Sequence, residues 1–161
     1  MPRPKSTTRQ ATLERALTHF WFHGFANSSM DDLVRATATS RHAIYADFGS
    51  KERLFDAVMG LYVDTVVTPA FAQVEAPGAG LQQISGYWER QIAGGEQSGL
   101  PGPGCLFANT MTELAPHAPV VARQVAKHNE RLRSGFRNAL RGDGIAERHR
   151  SSRQAIEATA T

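Results

Sequence analysis

The sequence predicts an all-α protein: an N-terminal three-helix helix-turn-helix domain, joined through a long fourth helix to a C-terminal helical ligand-binding and dimerisation bundle. Two observations predict this fold class. Apolar residues recur at spacings of three and four along most of the chain, as in helices that bury one face. Residues that cap helix N-termini also stand directly before several of these segments, as at Ser29, Ser40 and Ser50.

The first two helices follow a short basic arm, residues 1–8. The first begins at Arg9, and we expect it to end at Gly24 in a left-handed C-cap. Its apolar face comprises Leu13, Ala16, Leu17, Phe20 and Trp21. Ser29 and Asp32 then have the spacing of a capping box, which predicts a short second helix with Met30, Leu33 and Val34 turned inward.

The third and fourth helices are separated from their predecessors by short breaks. Residues 37–39 interrupt the second helix, and Ser40 caps a third helix, residues 41–48, with Ile44 and Phe48 on its inner face. Ser50 caps a long fourth helix that Pro69 is expected to kink or end. The inward positions of this helix are Leu54, Phe55, Val58, Leu61, Tyr62 and Val66.

The second half of the chain is predicted to hold three more helices. The first covers residues 81 to about 93, and the glycine- and proline-rich segment 94–104 is predicted to be a non-helical loop. Helix resumes over residues 105–114, Pro116 and Pro119 frame a turn, and a long amphipathic helix covers residues 120–140. The predicted domains are therefore 9–50 for the helix-turn-helix and 51–141 for the regulatory bundle, with a frayed or disordered tail at 142–161.

Composition excludes several classes of protein. Hydrophobic residues make up 41% and charged residues 20% of the chain, which argues against disorder and fibrous repeats. A lone cysteine, Cys105, cannot form an internal disulfide, and no secretory segment opens the chain, so a cytoplasmic location is expected. No apolar run approaches the roughly 20 residues that cross a bilayer, so no membrane partner is expected.

The outer face of the third helix suggests contact with nucleic acid. Arg41 and His42 lie in its first turn, where side chains of a recognition helix reach base edges. The helix N-termini at Ser29 and Ser40 offer free amides to phosphate, and Tyr45 and Lys51 add a hydroxyl and an ammonium. The alternative from these residues alone is a solvated surface with Tyr45 covering the core.

The run SMDDLVRATATSRHAIYADFGSKERLF, residues 29–55, resembles the DNA-binding domain of TetR-family regulators. In that family a Ser or Thr opens the second helix and a Ser opens the recognition helix. Tyr, Phe and Lys follow at the offsets of Tyr45, Phe48 and Lys51. The preceding FWFHGFANSSM matches the exit of the family's first helix. The resemblance covers residues 9–60 well and residues 61–140 loosely.

The resemblance implies a ligand-responsive transcriptional regulator, most commonly a repressor that leaves its double-stranded operator DNA when a small effector binds. Ser29, Tyr45 and Lys51 would hold the DNA backbone, and the residues facing the groove would be Thr39, Arg41, His42 and Ala43. Two positions depart from the pattern. Ala38 stands where the family has Gly, which suggests a turn that avoids positive φ, and His42 stands where a small residue is usual.

The second half resembles the family's regulatory domain only in architecture. Candidate effector-pocket residues are Tyr87, Trp88, Cys105, Phe107, Met111 and Phe136, and the alternative for each of the large side chains is ordinary core. Cys105, at a predicted helix N-terminus, is a candidate redox sensor or else a small buried hydrophobe. The resemblance also implies a homodimer, although the short tail lacks an apolar stripe.

Two other functions compete with DNA binding. Catalysis is not expected, because the histidines at 19 and 23 lack a third zinc ligand, and no nucleophile elbow, phosphate loop or paired-cysteine set occurs. No cofactor or metal is expected either. The other alternative is a truncated helical interaction module, or a non-functional regulator with weakened DNA binding.

Overall fold

The computed structural model describes residues 8–97, 99, 102–114 and 119–142. Within these ranges the chain is all-α, as predicted, and has no strand. The helices are α1 (Arg9–His23), α2 (Met30–Thr37), α3 (Arg41–Phe48), α4 (Lys51–Tyr62), a π-helical turn (Val63–Val67), α5 (Thr68–Glu75), α6 (Leu81–Gln97), α7 (Leu106–Glu113) and α8 (Pro119–Gly142). The predicted basic arm up to residue 7, Pro116 and the tail from residue 143 lie outside the described residues.

Two compact units divide the chain. Of the described residues, the first unit comprises 8–67, 103–114 and 119–126, and the second comprises 68–97, 99, 102 and 127–142. The predicted domains, 9–50 and 51–141, divide the chain differently, because α4 and α7 lie in the same unit as the three N-terminal helices. The proposed boundary between a DNA-binding and a regulatory domain therefore does not coincide with a boundary between compact units.

The core of the first unit is built from the apolar faces predicted for α1 to α4. Phe20 and Leu33 are fully buried, and Phe20 packs edge-on against Phe55 of α4 with ring centroids 5.0 Å apart. The other buried apolar residues of this core are Leu13, Ala16, Ile44, Phe48, Leu54, Val58, Met59, Tyr62, Val67, Leu106, Phe107 and Val125. Most of these residues lie on helices whose inward faces the apolar spacing of the sequence predicts.

The ends of α1 are set by local hydrogen bonds. The Thr8 hydroxyl accepts from the Ala11 amide at 3.2 Å, and the Gly24 amide donates to the Phe20 carbonyl at 2.8 Å. Gly24 ends the helix as predicted, but its φ of 76° and ψ of 173° lie outside the left-handed helical region that was expected. Only glycine adopts this conformation readily.

Pro69 does not end the fourth helix. The helix continues from Lys51 to Glu75, and the five residues before Thr68 form a π-helical turn. A proline has no amide to donate to the preceding turn, and a local change of hydrogen-bond pattern accommodates the missing donor. The hydrogen-bond pattern thus changes before Pro69, and the helix continues past it.

The helix Lys51–Glu75 has the length and mean hydropathy of a membrane span, although the sequence suggested that no segment would come close. Its apolar side chains Leu54, Phe55, Val58 and Met59 are buried in the first unit. The core helix of a soluble protein passes the same test, so this composition is weak evidence for a membrane.

The second unit contains α5, α6 and the later part of α8. Its core is aromatic: the Phe71 ring meets the rings of Tyr87 and Phe136 edge-on, with centroids 5.3 and 5.1 Å apart. Gly135 of α8 lies against Phe71 so closely that a Cβ there would be 2.5 Å from a ring carbon. Glycine is therefore required where α8 passes α5.

The prediction that helix stops before Gly94 is wrong. Helix α6 runs through Gly94 and Gly95 to Gln97. Glycine costs about 1 kcal/mol relative to alanine in a helix interior, so two glycines weaken the last turn of a helix without forbidding it.

Candidate nucleic-acid interface

Helix α2 begins with a complete capping box. The Ser29 hydroxyl accepts from the Asp32 amide at 3.1 Å, and the Asp32 carboxylate accepts from the Ser29 amide at 2.9 Å and from its hydroxyl at 2.5 Å. These bonds from Ser29 hold the pKa of Asp32 below its usual value. The ionised carboxylate thus stabilises α2, and this contribution is lost as the pH falls through the lowered pKa. A phosphate at Ser29 would have to share a hydroxyl that is already engaged.

Helix α3 is held by one face and exposed on the other. Ser40 caps it by accepting from the Ala43 amide at 3.2 Å, and Ile44 and Phe48 are buried beneath it. The exposed residues include Arg41, His42 and Tyr45, the last with 42% of its surface exposed, while Ala43 is half-buried. A short helix that projects a cation, an imidazole and a phenol from one side has the chemistry of a major-groove reader.

Arg41 already has an anionic partner in α2. Its guanidinium donates to the Asp31 carboxylate at 2.7 Å, and this bond raises the pKa of Arg41. Both side chains are exposed, at 52% and 70%, so water and salt screen their attraction. Asp31 orients Arg41, but it also competes with any phosphate or base that Arg41 could reach.

The turn between α2 and α3 corrects one expectation. Ala38 ends α2 with φ 53° and ψ 34°, which is left-handed helical, whereas the sequence suggested a turn that avoids positive φ. Ala38 is the only residue other than glycine with a positive φ among those that the structure describes. The turn therefore keeps a glycine-like backbone despite its alanine.

Ala38→Gly is expected to raise the free energy of unfolding by about 0.5–1 kcal/mol, because relief of the left-handed strain exceeds the extra backbone freedom of glycine in the unfolded chain. Chemical denaturation measures it. Gly49→Ala, at φ 84°, is the opposite control and should lower stability. A loss of stability in Ala38→Gly would mean that the alanine methyl makes contacts worth more than the strain.

Thr39 does not face outward. Its side chain is buried, its hydroxyl lies 2.8 Å from that of Thr12 in α1, and it donates to the Thr37 carbonyl at 3.3 Å. Arg15 of α1 also donates to the Thr37 carbonyl, at 2.8 Å. The expectation that the Thr39 side chain faces the groove is therefore corrected: it ties the turn to α1.

Lys51 is the first residue of α4 and directly follows the N-cap residue Ser50. Its ammonium is 4.0 Å from the centroid of the Phe25 ring, a cation–π distance, and partial burial lowers the pKa of Lys51. A lysine half-buried on an aromatic ring has a restricted ammonium position. That geometry suits a fixed contact with a backbone phosphate.

Sequence reasoning missed the hydrogen bonds that join the helix-turn-helix to residues late in the chain. The Glu113 carboxylate at the end of α7 accepts from the Ala26 amide at 2.6 Å and from the Phe25 amide at 3.1 Å, in the turn between α1 and α2. Trp21 donates to the Gly104 carbonyl at 2.7 Å. Partners 83 to 88 residues apart leave no local signal in a single sequence.

The six candidate effector residues are split between the units. Phe107 is buried in the first unit beside Tyr62, while Cys105 and Met111, in the same unit, are exposed. In the second unit Tyr87, Trp88 and Phe136 form one ring cluster, with Trp88 52% exposed. Cys105 stands at the N-terminus of α7 as predicted, without a side-chain cap bond.

A groove of about 420 Å³ in the second unit is lined by other residues. Its polar side chains include Arg131, Ser134 and Asn138 of α8 and Glu75 of α5. Arg131 holds Glu75 through two bonds of 2.7 Å and lowers the pKa of that carboxyl. Among the described residues, no group of three or more His, Cys, Asp or Glu side chains is placed to hold a metal ion.

The sequence pattern of the family described as "Bacterial regulatory proteins, tetR family" matches residues 13–58, which run from α1 into α4. The helix-turn-helix segment of this chain is therefore similar to that of tetR-family regulators. The match includes the capped α2, the Ala38 turn and all of α3, so the exposed face of α3 lies within the matched segment.

Three relatives that are named as HTH-type transcriptional regulators or repressors agree with this similarity. The HTH-type transcriptional repressor ComR of Escherichia coli strain K12 is 33% identical over 120 residues, which cover 74% of this chain and 57% of that repressor. The uncharacterized HTH-type transcriptional regulator YezE of Bacillus subtilis strain 168 is 25% identical over 87% of this chain and 72% of its own length. The HTH-type transcriptional repressor DhaR of Mycobacterium sp. strain GP1 is 23% identical over 84% and 67%.

The chain thus spans between 57% and 72% of the length of these three relatives. No solved structure matches it.

Proposed function

We propose that this chain is a transcriptional repressor that binds double-stranded operator DNA by placing α3 in the major groove. The observation that carries the proposal is the two-sided character of α3. Ile44 and Phe48 anchor it in the core, and Arg41, His42 and Tyr45 are exposed together. The relatives named as transcriptional repressors support the regulatory role. A regulator of this kind would act in the cytoplasm and would catalyse no reaction.

The geometry suggests which residues would contact bases and which would contact phosphates. Arg41, His42 and Ala43 lie at the leading end of α3 and would approach base edges, while Tyr45, Lys51 and the α2 and α3 N-termini at Ser29 and Ser40 would contact phosphates. Thr39 is left out of this set because its hydroxyl is used inside the protein.

A gel shift with the DNA upstream of the protein's own reading frame tests the proposal. Binding should weaken steeply with added salt, because phosphate contacts release counterions. The absence of any shift at low salt would contradict DNA binding and favour a helical interaction module instead.

Two substitutions sharpen this test. Arg41→Ala is expected to weaken specific binding about 10-fold or more, as for loss of one base-edge arginine. Asp31→Asn is expected to tighten binding about 3-fold at low salt, because it removes the carboxylate that competes for Arg41 and repels phosphate. Anisotropy titrations of labelled DNA measure both changes.

Arg90→Ala is the matched control, since Arg90 is an exposed arginine of α6 outside the helix-turn-helix. It should leave the affinity unchanged. If Asp31→Asn weakened binding as much as Arg41→Ala, orientation of Arg41 by Asp31 would outweigh competition, and the sign proposed here would be wrong.

Release of DNA by a small effector is the second part of the proposal. The groove lined by Glu75, Arg131, Ser134 and Asn138 has the volume of a small-molecule site. Its polar lining differs from the apolar pocket expected from the sequence, whose candidate residues are Tyr87, Trp88, Cys105, Phe107, Met111 and Phe136. An effector should raise the melting temperature of the DNA-free chain. It should release DNA over the same range of effector concentration. Ligands that stabilise the chain without releasing DNA would contradict this mode of control.

A further inference from the structure

The turn between α1 and α2, residues 24–28, is held by a carboxylate of α7. Both oxygens of Glu113 take part: one accepts from the Ala26 amide at 2.6 Å and the other from the Phe25 amide at 3.1 Å. Gly24 leaves room for this carboxylate, since a Cβ at Gly24 would lie 3.0 Å from each of the two oxygens. Backbone amides that converge on one point form an anion-binding concavity, which here is filled by a side chain of the protein itself.

Helix α7 is a firm support for this carboxylate, because it is packed into the core of the first unit. Leu106 and Phe107, in its first turn, are buried in that core. Just before α7, the Gly104 carbonyl accepts a bond of 2.7 Å from Trp21 of α1. Contacts with the N-terminal helices therefore fix the beginning of α7, and Glu113 is bonded at its C-terminal end.

The same turn carries the aromatic ring that holds Lys51. The Lys51 ammonium lies 4.0 Å from the centroid of the Phe25 ring, and this ring packs against those of Phe20 and Phe55 at 6.1 and 5.1 Å. Glu113 also acts on Lys51 through its charge. Burial lowers the pKa of Lys51, and nearby carboxylates, Glu113 among them, oppose that lowering.

We propose that Glu113 is a positioning residue for operator binding. Its carboxylate fixes the turn, the turn fixes the Phe25 ring, and the ring holds the Lys51 ammonium where a DNA phosphate is contacted. This role rests on the proposed function, in which Lys51 binds the DNA backbone. A lysine side chain has many rotamers, so an ammonium that is confined before DNA arrives loses less conformational entropy on binding.

Charge and position predict opposite effects of removing the Glu113 carboxylate. A negative charge near the DNA repels phosphate, so its removal should tighten binding if charge alone matters. Loss of the fixed turn should weaken binding, because the Lys51 ammonium then occupies other positions as well. The sign of the change therefore separates a positioning residue from a nearby negative charge.

Anisotropy titrations with labelled DNA from upstream of the reading frame test the proposal. Glu113→Ala should weaken binding about 3- to 10-fold at low salt, and Lys51→Ala about 10-fold or more, as for loss of a hydrogen bond to a charged group. Lys51→Ala should lower the slope of log affinity against log salt by about 1, and Glu113→Ala should lower it in the same direction. Glu96→Ala is the matched control, because it removes the same charge from an exposed position of α6, and it should leave the affinity unchanged.

A double-mutant cycle tests whether Glu113 acts through Lys51. In a Lys51→Ala background, Glu113→Ala should have little further effect, because the contact that Glu113 positions is already lost. Equal weakening with and without Lys51 would overturn the proposal, since it would indicate a general effect on the fold. Tighter binding by Glu113→Ala would overturn it as well.

NMR of the DNA-free chain tests the same connection without an operator. The Lys51 side-chain protons should show the upfield shift of groups that lie above an aromatic ring, and Glu113→Ala should reduce it. The Phe25 and Ala26 amides should exchange their hydrogens faster in that variant. Ala26 is exposed, so water can replace the lost carboxylate, and circular dichroism should show unchanged helix content.

These measurements separate failure of the positioning role from failure of the proposed function. A wild-type chain that binds no DNA at low salt overturns the proposed function, and the role of Glu113 with it. Unchanged Lys51 and amide signals in Glu113→Ala overturn only the positioning role, and they leave DNA binding intact.

Discussion

Phe20→Ala is expected to lower the free energy of unfolding of the first unit by about 3–5 kcal/mol, the range for truncation of a buried phenylalanine. Phe20 has no exposed surface, and its ring contacts those of Phe25 and Phe55 at 6.1 and 5.0 Å. The cavity would lie between α1 and α4, and tightly packed helices close such a gap only in part. Urea denaturation followed by the fluorescence of Trp21, which lies in the same unit, measures the loss.

Phe22→Ala is the control for this prediction. Phe22 lies two residues away on the same helix, but 64% of its surface is exposed. Its truncation should change stability by less than about 0.5 kcal/mol. Similar losses in the two variants would mean that α1 does not pack through the face assigned to it.

Gly135→Ala is expected to destabilise the second unit by about 1–3 kcal/mol, the cost of overpacking a filled core. The new methyl would lie 2.5 and 2.8 Å from two carbons of the Phe71 ring. That ring is held edge-on by Tyr87 and Phe136, so it has little room to retreat. The gain in helix propensity from alanine, about 1 kcal/mol, is too small to offset this contact.

Gly94→Ala is the control in the same unit, because it is expected to raise stability where Gly135→Ala lowers it. Gly94 lies inside α6, and a Cβ there would meet nothing within 4 Å, so alanine should stabilise the helix by up to about 1 kcal/mol. Trp21 and Trp88 are the two tryptophans of the chain, one in each unit. A Trp21→Phe background therefore lets Trp88 fluorescence report on the second unit. A stable Gly135→Ala protein would show that α5 and α8 can move apart there.

Features encoded by neighbouring residues could be predicted from the sequence. Caps at Ser29, Ser40 and Ser50 and the end of α1 at Gly24 all depend on bonds that span three or four residues. The inner faces of α3 and α4 were also predicted, because apolar spacing orients a short helix once its ends are known. These features define the helix-turn-helix and most of its candidate interface.

Features that depend on distant partners could not be predicted. Thr39 is polar and lies next to a helix cap, yet its side chain is buried and its hydroxyl bonds to that of Thr12, 27 residues earlier. The bond between Asp31 and Arg41 joins two helices across a turn whose geometry Ala38 sets. The continuation of α6 through Gly94 and Gly95 shows a limit of another kind, since composition gives only a tendency.

The Glu113 carboxylate has a consequence for how such regulators can recombine. It supplies acceptors for two amides in the turn that leads into α2, yet it lies outside the family-matched segment 13–58. A chimera that joins the N-terminal sixty residues to a foreign regulatory half would leave both amides without their carboxylate. An exchange that carries α7 along with the helix-turn-helix would preserve them. The set of residues that keeps these amides bonded is thus discontinuous in the sequence, although the family-matched segment is continuous.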